Sequence, residues 1–260
     1  MHATIQAFWL PKAGNSASEY EDAFWPTPEE DLVSLPIRLA VGDGATATSF
    51  SALWAKLLVQ DHGEGFLTEE TLVERLPILR DRWLVEVSRE PLPWYAEEKL
   101  RSGAFSSFLG LTIEQDSGTR GERGRWRALA IGDSCLFHVR NNERIVAWPM
   151  DKSDQFNDWP VLIPSVSGGD ESFRDAIKVE QGSWEMGDVF YLMTDALACW
   201  FLRRLELKDG DPFEFLNRIC DDASFEEFIR NQRADSLEDG IEMLKNDDVT
   251  LVRCRIEAVI

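Results

Sequence analysis

The chain has 260 residues, 44% of them hydrophobic and including 10 Trp and 15 Phe, enough to bury a sizeable core. With 47 acidic against 27 basic residues the formal charge is −20, which opposes binding to a polyanion and argues against nucleic acid as a partner. No stretch approaches a membrane-crossing length and no basic-then-apolar leader opens the sequence, so the expectation is a soluble, cytoplasmic protein without a membrane partner.

The first strand is expected at "TIQAFWL", followed by a polar loop and "EDAFW" with Pro26 and Pro28 behind it. "IRLAVGD" reads as a buried strand ending on Asp43, and Gly44 offers a turn residue free to take positive φ. Phe50, Leu53, Trp54, Leu57 and Leu58 recur at helical spacing, with Ser49 or Thr48 as N-cap. A second helix is expected from a cap at Thr68, kinked or divided by Pro77, and a third piece at "PWYAEEKLRS".

After Gly103 the period becomes two. "AFSSFLGLTIEQ", "RWRALAIGD" and "CLFHVRNNERIVAWPM" read as antiparallel strands, with Asn141-Asn142 as a hairpin turn. Residues 151–187 read as a long irregular excursion, in which Trp148 just before it, Phe156 and Trp159 are expected as core anchors. "DVFYLMTD" is a buried strand ending on Asp195, before a helix over "ALACWFLRRLEL". Two amphipathic pieces near 213–220 and 224–232 precede a closing strand introduced by Asp247-Asp248. Grouped strands with helical runs between the groups argue α+β, and no repeat or linker divides the chain, so a single domain over 1–260 is expected.

Cys135, Cys199, Cys220 and Cys254 have neither zinc-knuckle nor disulfide spacing and are expected as buried, reduced thiols. None carries a Cys-x₅-Arg phosphate loop. His2, His62 and His138 lack catalytic spacing; His138 is expected to be structural or on the surface, and His62 to favour a helix dipole.

Asp22, Asp43, Asp133, Asp195 and Asp247 all sit where strands begin or end. Carboxylates at the rim of a sheet are held rigidly, can converge on one cleft, and suit hard divalent cations such as Mg²⁺ and Mn²⁺. Each alone reads more readily as a turn or cap residue than as a metal ligand. Together, "YEDAF" at 20–24, "VGDG" at 41–44, "AIGDS" at 130–134, "YLMTDA" at 191–196 and "DDVTLV" at 247–252 resemble, in order, the motifs of the metal-dependent Ser/Thr protein phosphatases of the 2C type.

That resemblance implies a four-layer αββα sandwich, two antiparallel sheets packed face to face with helices outside, and a centre of two Mg²⁺ or Mn²⁺ ions. It implies that Asp43 bridges both ions, that Gly44 offers a backbone carbonyl, and that Asp195 and Asp247 hold the second ion. Asp22 would act directly or through water, Glu21 is an additional ligand candidate, and Asp133 would contribute to a third, weaker ion, although Cys199 stands where an acidic partner for it is expected. The implied reaction is hydrolysis of phosphoserine and phosphothreonine on proteins by a metal-activated water, without a phosphoenzyme. The implied partners are a phosphoprotein substrate and a cognate Ser/Thr kinase system, and the chain would act as a monomer.

Departures exist. The phosphate-gripping Arg is replaced by Ala17, with Lys12 nearest upstream and Arg101 or Arg140 as substitutes, while "DGATA" and "TDA" resemble the divergent bacterial-type branch. Two alternatives follow: a pseudophosphatase that binds a phosphorylated partner without turnover, and an interaction protein in which the aspartates only make turns.

Overall fold

A computed structural model describes residues 2–26, 32–33, 36–45, 50–89, 102–116, 123–156, 159–168, 170–208, 211–236, 240 and 242–257. The strands β1 (His2–Leu10), β2 (Ala23–Trp25), β3 (Leu32–Val33) and β4 (Ile37–Gly42) lead to the helices α1 (Ser51–Gly63) and α2 (Leu72–Val87). Then follow β5 (Phe105–Ser106), β6 (Phe108–Gln115), β7 (Arg123–Ile131), β8 (Cys135–Arg140), β9 (Glu143–Trp148), β10 (Ile163–Pro164) and α3 (Asp170–Asp175). The chain continues with β11 (Lys178–Glu185), β12 (Val189–Met193), α4 (Asp195–Leu207), α5 (Pro212–Asn217), α6 (Asp222–Ala234) and β13 (Val249–Glu257).

Apart from β5 and β10, which pair as a separate two-stranded sheet, two large antiparallel sheets result, one in the order β3-β1-β13-β12-β8-β9 and the other β11-β7-β6-β4-β2. Their facing surfaces interdigitate through Ile5, Leu39, Leu111, Trp126, Leu192 and Cys254 among others. Alternation along each strand then decides the outer layers. In β12, Phe190 and Leu192 enter the inter-sheet core, while Val189, Tyr191 and Met193 turn outward under Trp200 and Phe201 of α4. On the other side Ala40, Phe108, Leu129 and Ile131 pack beneath Trp54, Leu58, Leu76 and Trp83 of α1 and α2. The αββα order expected from the motifs is the observed one.

Several local expectations change. The segment 151–187 is not irregular throughout: β11 pairs with β7 over eight positions, from Lys178↔Ala130 to Glu185↔Arg123, and forms the sheet edge. Its polar residues conceal the strand because only one of its faces is covered. Trp148 and Phe156 do pack against the core, but Trp159 is 89% exposed and belongs to none of the core clusters. Pro77 lies inside α2 without dividing it. Thr68 is not that helix's cap, since the helix starts one turn later at Leu72, behind Thr71. Asn141 and Asn142 both take positive φ, as a two-residue hairpin turn requires. All four thiols are free, yet only Cys135 and Cys254 are buried; Cys199 is half-buried and Cys220 exposed. His62 is buried with Nδ1 against the Leu67 carbonyl, rather than serving at an open helix end. Residues 46–49, with the expected cap at Thr48 or Ser49, and 90–101, with the third helical piece and Arg101, lie outside the described residues.

Candidate metal centre

Antiparallel pairing brings the ends of distant strands to one edge of the sandwich. Asp43 follows β4, whose end pairs with β2 through Gly42↔Ala23, so Asp22, preceding β2, lies beside it. Asp195 opens α4 directly after β12, whose Met193 pairs with both Cys135 of β8 and Leu251 of β13. Asp133 precedes β8 and Asp247 precedes β13, so both arrive at the same edge.

The backbone around Asp43 is fixed by Ser107: the Asp43 N–H donates to Ser107 Oγ at 3.1 Å, and the Asp43 carbonyl accepts from the Ser107 N–H at 2.9 Å. Gly44 does not take positive φ, contrary to the turn reading. It is glycine because a Cβ there would stand 2.6 Å from the Glu21 carbonyl oxygen and 2.9 Å from the Ser51 carbonyl carbon. The backbones of Glu21, just before β2, and of Ser51 at the start of α1 therefore close directly onto the Asp43-Gly44 step.

Four carboxylates oppose one another here, Asp22 and Asp133 buried and Asp43 and Asp195 half-buried. Burial, then the charges of Asp195, Asp22, Asp133 and Asp247, push Asp43 well above the usual carboxylate range. Asp22 is raised by burial and by Asp248 and Asp195, against a hydrogen bond received from Thr250 Oγ1 at 2.7 Å. Burial and Asp195 push Asp133 up to about 7. Burial and Asp247 push Asp195 to about 6, with the Ala196 N–H acting in the other direction. Such mutual elevation marks a site whose ionised form calls for positive charge. Asp133 Oδ1 is buried and has no hydrogen-bond partner, and no protein donor among the described residues reaches the Asp43 carboxylate. Among the described residues, no three His, Cys, Asp or Glu side chains already surround one point at coordinating distance. The donor set, oxygen only and on rigid strand ends, is of the kind that suits Mg²⁺ or Mn²⁺.

Of two further candidates, Glu21 stays beside the Asp43-Gly44 step, where its carbonyl oxygen faces Gly44, and Arg140 lies away from the cluster. Glu21 accepts from Ser51 Oγ at 2.7 Å, which ties it to the first turn of α1. Arg140 closes the far end of β8, where its guanidinium holds Asp188 at 2.7 Å, so it cannot replace the missing phosphate-gripping Arg. His138 is buried beside it, with Nε2 2.7 Å from Asp188.

Sequence reasoning overlooked the residues that aim Asp247. Asp248 accepts from the Lys12 N–H at 2.8 Å and the Glu21 N–H at 2.7 Å, and Asn246 Oδ1 accepts from the Ala13 N–H at 2.7 Å. Arg233 of α6 donates to the carbonyls of both Pro11 and Asp247. The neighbours of Asp247 are thus bound to the loop after β1, while its own carboxylate accepts from the Asp248 N–H at 3.1 Å and meets Lys245 Nζ at 3.0 Å. The doubled acid "DD" is the only trace of this in the sequence.

No protein-family model matches the chain, and no curated protein matches it in sequence. Solved structures do. The Mycobacterium tuberculosis serine/threonine phosphatase PstP aligns over 99% of this chain and 100% of its own, with TM-score 0.59 and 14% identity. The photosystem II phosphatase PBCP aligns over 99% and 100%, with TM-score 0.58 and 15% identity. The S. agalactiae serine/threonine phosphatase aligns over 97% and 100%, with TM-score 0.53 and 12% identity. At such identities the likeness is one of architecture, and the chain has the fold of the 2C-type Ser/Thr protein phosphatases, in the divergent form its motifs resemble.

Proposed function

We propose that the chain is a metal-dependent phosphomonoesterase acting on phosphoserine and phosphothreonine of proteins. The observation that carries this reading is the gathering of Asp22, Asp43, Asp133 and Asp195, carboxylates from four separate strand ends whose pKa values are each raised by burial and by neighbouring carboxylates. Among solved structures of the same fold, the catalytic domain of PstP has been crystallised in complex with two manganese ions.

Asp43, Asp195, Asp247 and Asp22 would hold the ions, with the Gly44 carbonyl as a further donor. Bound Mg²⁺ or Mn²⁺ supplies positive charge for phosphoryl oxygens and acidifies coordinated water. The protein's own part is positional: Ser107 fixes the Asp43 backbone, Thr250 orients Asp22, and the Asn246-Asp248 clamp presents Asp247. A covalent phosphocysteine route is disfavoured, because burial drives the Cys135 and Cys199 thiols up and keeps them protonated.

Hydrolysis of p-nitrophenyl phosphate and of a phosphothreonine peptide with added Mn²⁺ tests the reading. Asp43→Asn and Asp195→Asn are expected each to lower turnover by more than about a hundredfold, since loss of outer partners alone costs 10- to 100-fold. Metal-independent turnover unaffected by both changes would refute it. The pseudophosphatase alternative rests on Ala17, in the first 3₁₀ turn where the family's Arg is expected. Tight phosphopeptide binding without turnover in saturating Mn²⁺ would select it.

A further inference from the structure

Lys245 Nζ lies 3.0 Å from Asp247 Oδ2. The Asp247 N–H donates to the Lys245 carbonyl at 3.0 Å, a tight turn that keeps the two residues close together. Arg203 of α4 donates to the carbonyls of Glu242 and Met243 and so moors the segment leading into Lys245 against that helix. Asp133 and Asp195 reach the same corner, because Met193, two residues before Asp195, pairs with Cys135, two residues after Asp133, and with Leu251 of the strand that follows Asp247. These groups come from the β7–β8 turn, the first turn of α4 and the turn before β13.

This corner contains an unmet demand for positive charge. Asp133 is 4% exposed, and its Oδ1 has no hydrogen-bond partner. The remaining group is Cys199, a thiol that a hard cation accepts poorly as a ligand and that burial keeps protonated. The chain brings two cations here: the Arg203 guanidinium, which donates to Cys199 Sγ at 3.6 Å, and the Lys245 ammonium, the one of the two that meets the carboxylate of Asp247.

We propose that Lys245 is the resident cation of the Asp133–Asp195–Asp247 corner, holding the place of a further divalent ion and limiting how many ions the cluster takes. The inference deepens the metal-dependent reading above and rests on it for the chemistry of the cluster. Replacing Lys245 with a neutral side chain of similar length opens the corner to Mn²⁺, with Asp133 Oδ1 as the ligand gained.

Calorimetric titration of the full chain with Mn²⁺ alone tests this, comparing wild type with K245M, K245Q and K245R. K245M and K245Q are expected to bind one ion more than wild type, or the weakest ion about tenfold tighter, as the loss of one nearby like charge allows. K245R keeps wild-type binding, and D133N placed in K245M removes the gain. Lys245 is 61% exposed on its side chain, so these variants retain the fold, which thermal melts check. Wild type that binds Mn²⁺ with K245M and K245Q equal or weaker overturns the inference and leaves the metal reading intact. Wild type silent while K245M binds supports the inference and sinks the metal reading for the natural chain. Silence in every variant sinks both.

Discussion

Asp43-Gly44 shows how one dipeptide carries two unrelated constraints. The carboxylate is needed where charge collects, and the glycine is needed because the backbone of Glu21 and of Ser51 in α1 occupies the space a Cβ would fill. Gly44→Ala should therefore cost about 1–3 kcal/mol of stability, the usual cost of overpacking. A chemical-denaturation midpoint shift with unchanged m-value measures it. Thr250 is the second residue-scale test. Its hydroxyl donates to Asp22 and also meets the Tyr20 hydroxyl. Thr250→Val removes a donor from a buried carboxylate, so we expect a loss of about 1–3 kcal/mol and weaker Mn²⁺ binding. Equal stability and equal metal affinity in that variant would show that Asp22 is oriented by other means.

At the scale of elements, the site depends on where strands end. α4 begins on Asp195 because β12 stops at Met193 and Thr194 occupies the N-cap position, which places the positive end of the helix dipole beside the carboxylate. The helix is held by its buried face, Leu197, Ala198, Trp200, Phe201 and Leu202, so the carboxylate inherits the rigidity of that packing. The turn before β13 is held differently, by polar bonds. Asp248→Ala would leave the Lys12 and Glu21 N–H groups without their acceptor. The expected result is about 2–4 kcal/mol lower stability at one to two kcal/mol per orphaned donor, and a drop in Mn²⁺ affinity as Asp247 loses its aim. A stability loss with metal affinity unchanged would show that the clamp serves the fold alone. Elements facing solvent on one side were the ones the sequence concealed: β11, with Gly182 amid polar residues, reads as loop until β7 is seen to pair with it.

For the molecule as a whole, the acidic cluster links folding to pH. Asp133 and Asp195 hold their protons in the native state up to about 7 and about 6, whereas in the unfolded chain they release them near pH 4. Between those values the native state binds more protons than the unfolded one, so metal-free stability falls as pH rises from about 4 toward about 7. Asp188 has the opposite sign, but Arg140 and His138 hold it below the usual range, so its contribution is complete above about pH 4. His62, which burial keeps neutral in the native state, does oppose the fall below about pH 6.5, as one group against the several raised carboxylates. Melting of the metal-free protein across pH 4.5 to 7.5 should show a declining midpoint, and Mn²⁺ should restore it most at the upper end, where the carboxylates are ionised. A midpoint that rises across this range without metal would contradict the arrangement. What the amino-acid sequence determined by itself was local and periodic: the strands with strict alternation, the helices with apolar spacing, the Asn141-Asn142 turn, and five aspartates in a recognisable order at strand ends. The tertiary structure decided which of those side chains meet. It grouped Asp22, Asp43, Asp133 and Asp195 with Asp247, bound Glu21 to α1, sent Arg140 to the opposite end of β8, and gave Asp248, Arg233 and Lys245 their roles. The physical reason is range: periodicity records which face of an element is buried, whereas convergence depends on pairing between strands far apart in the chain, which no local pattern encodes.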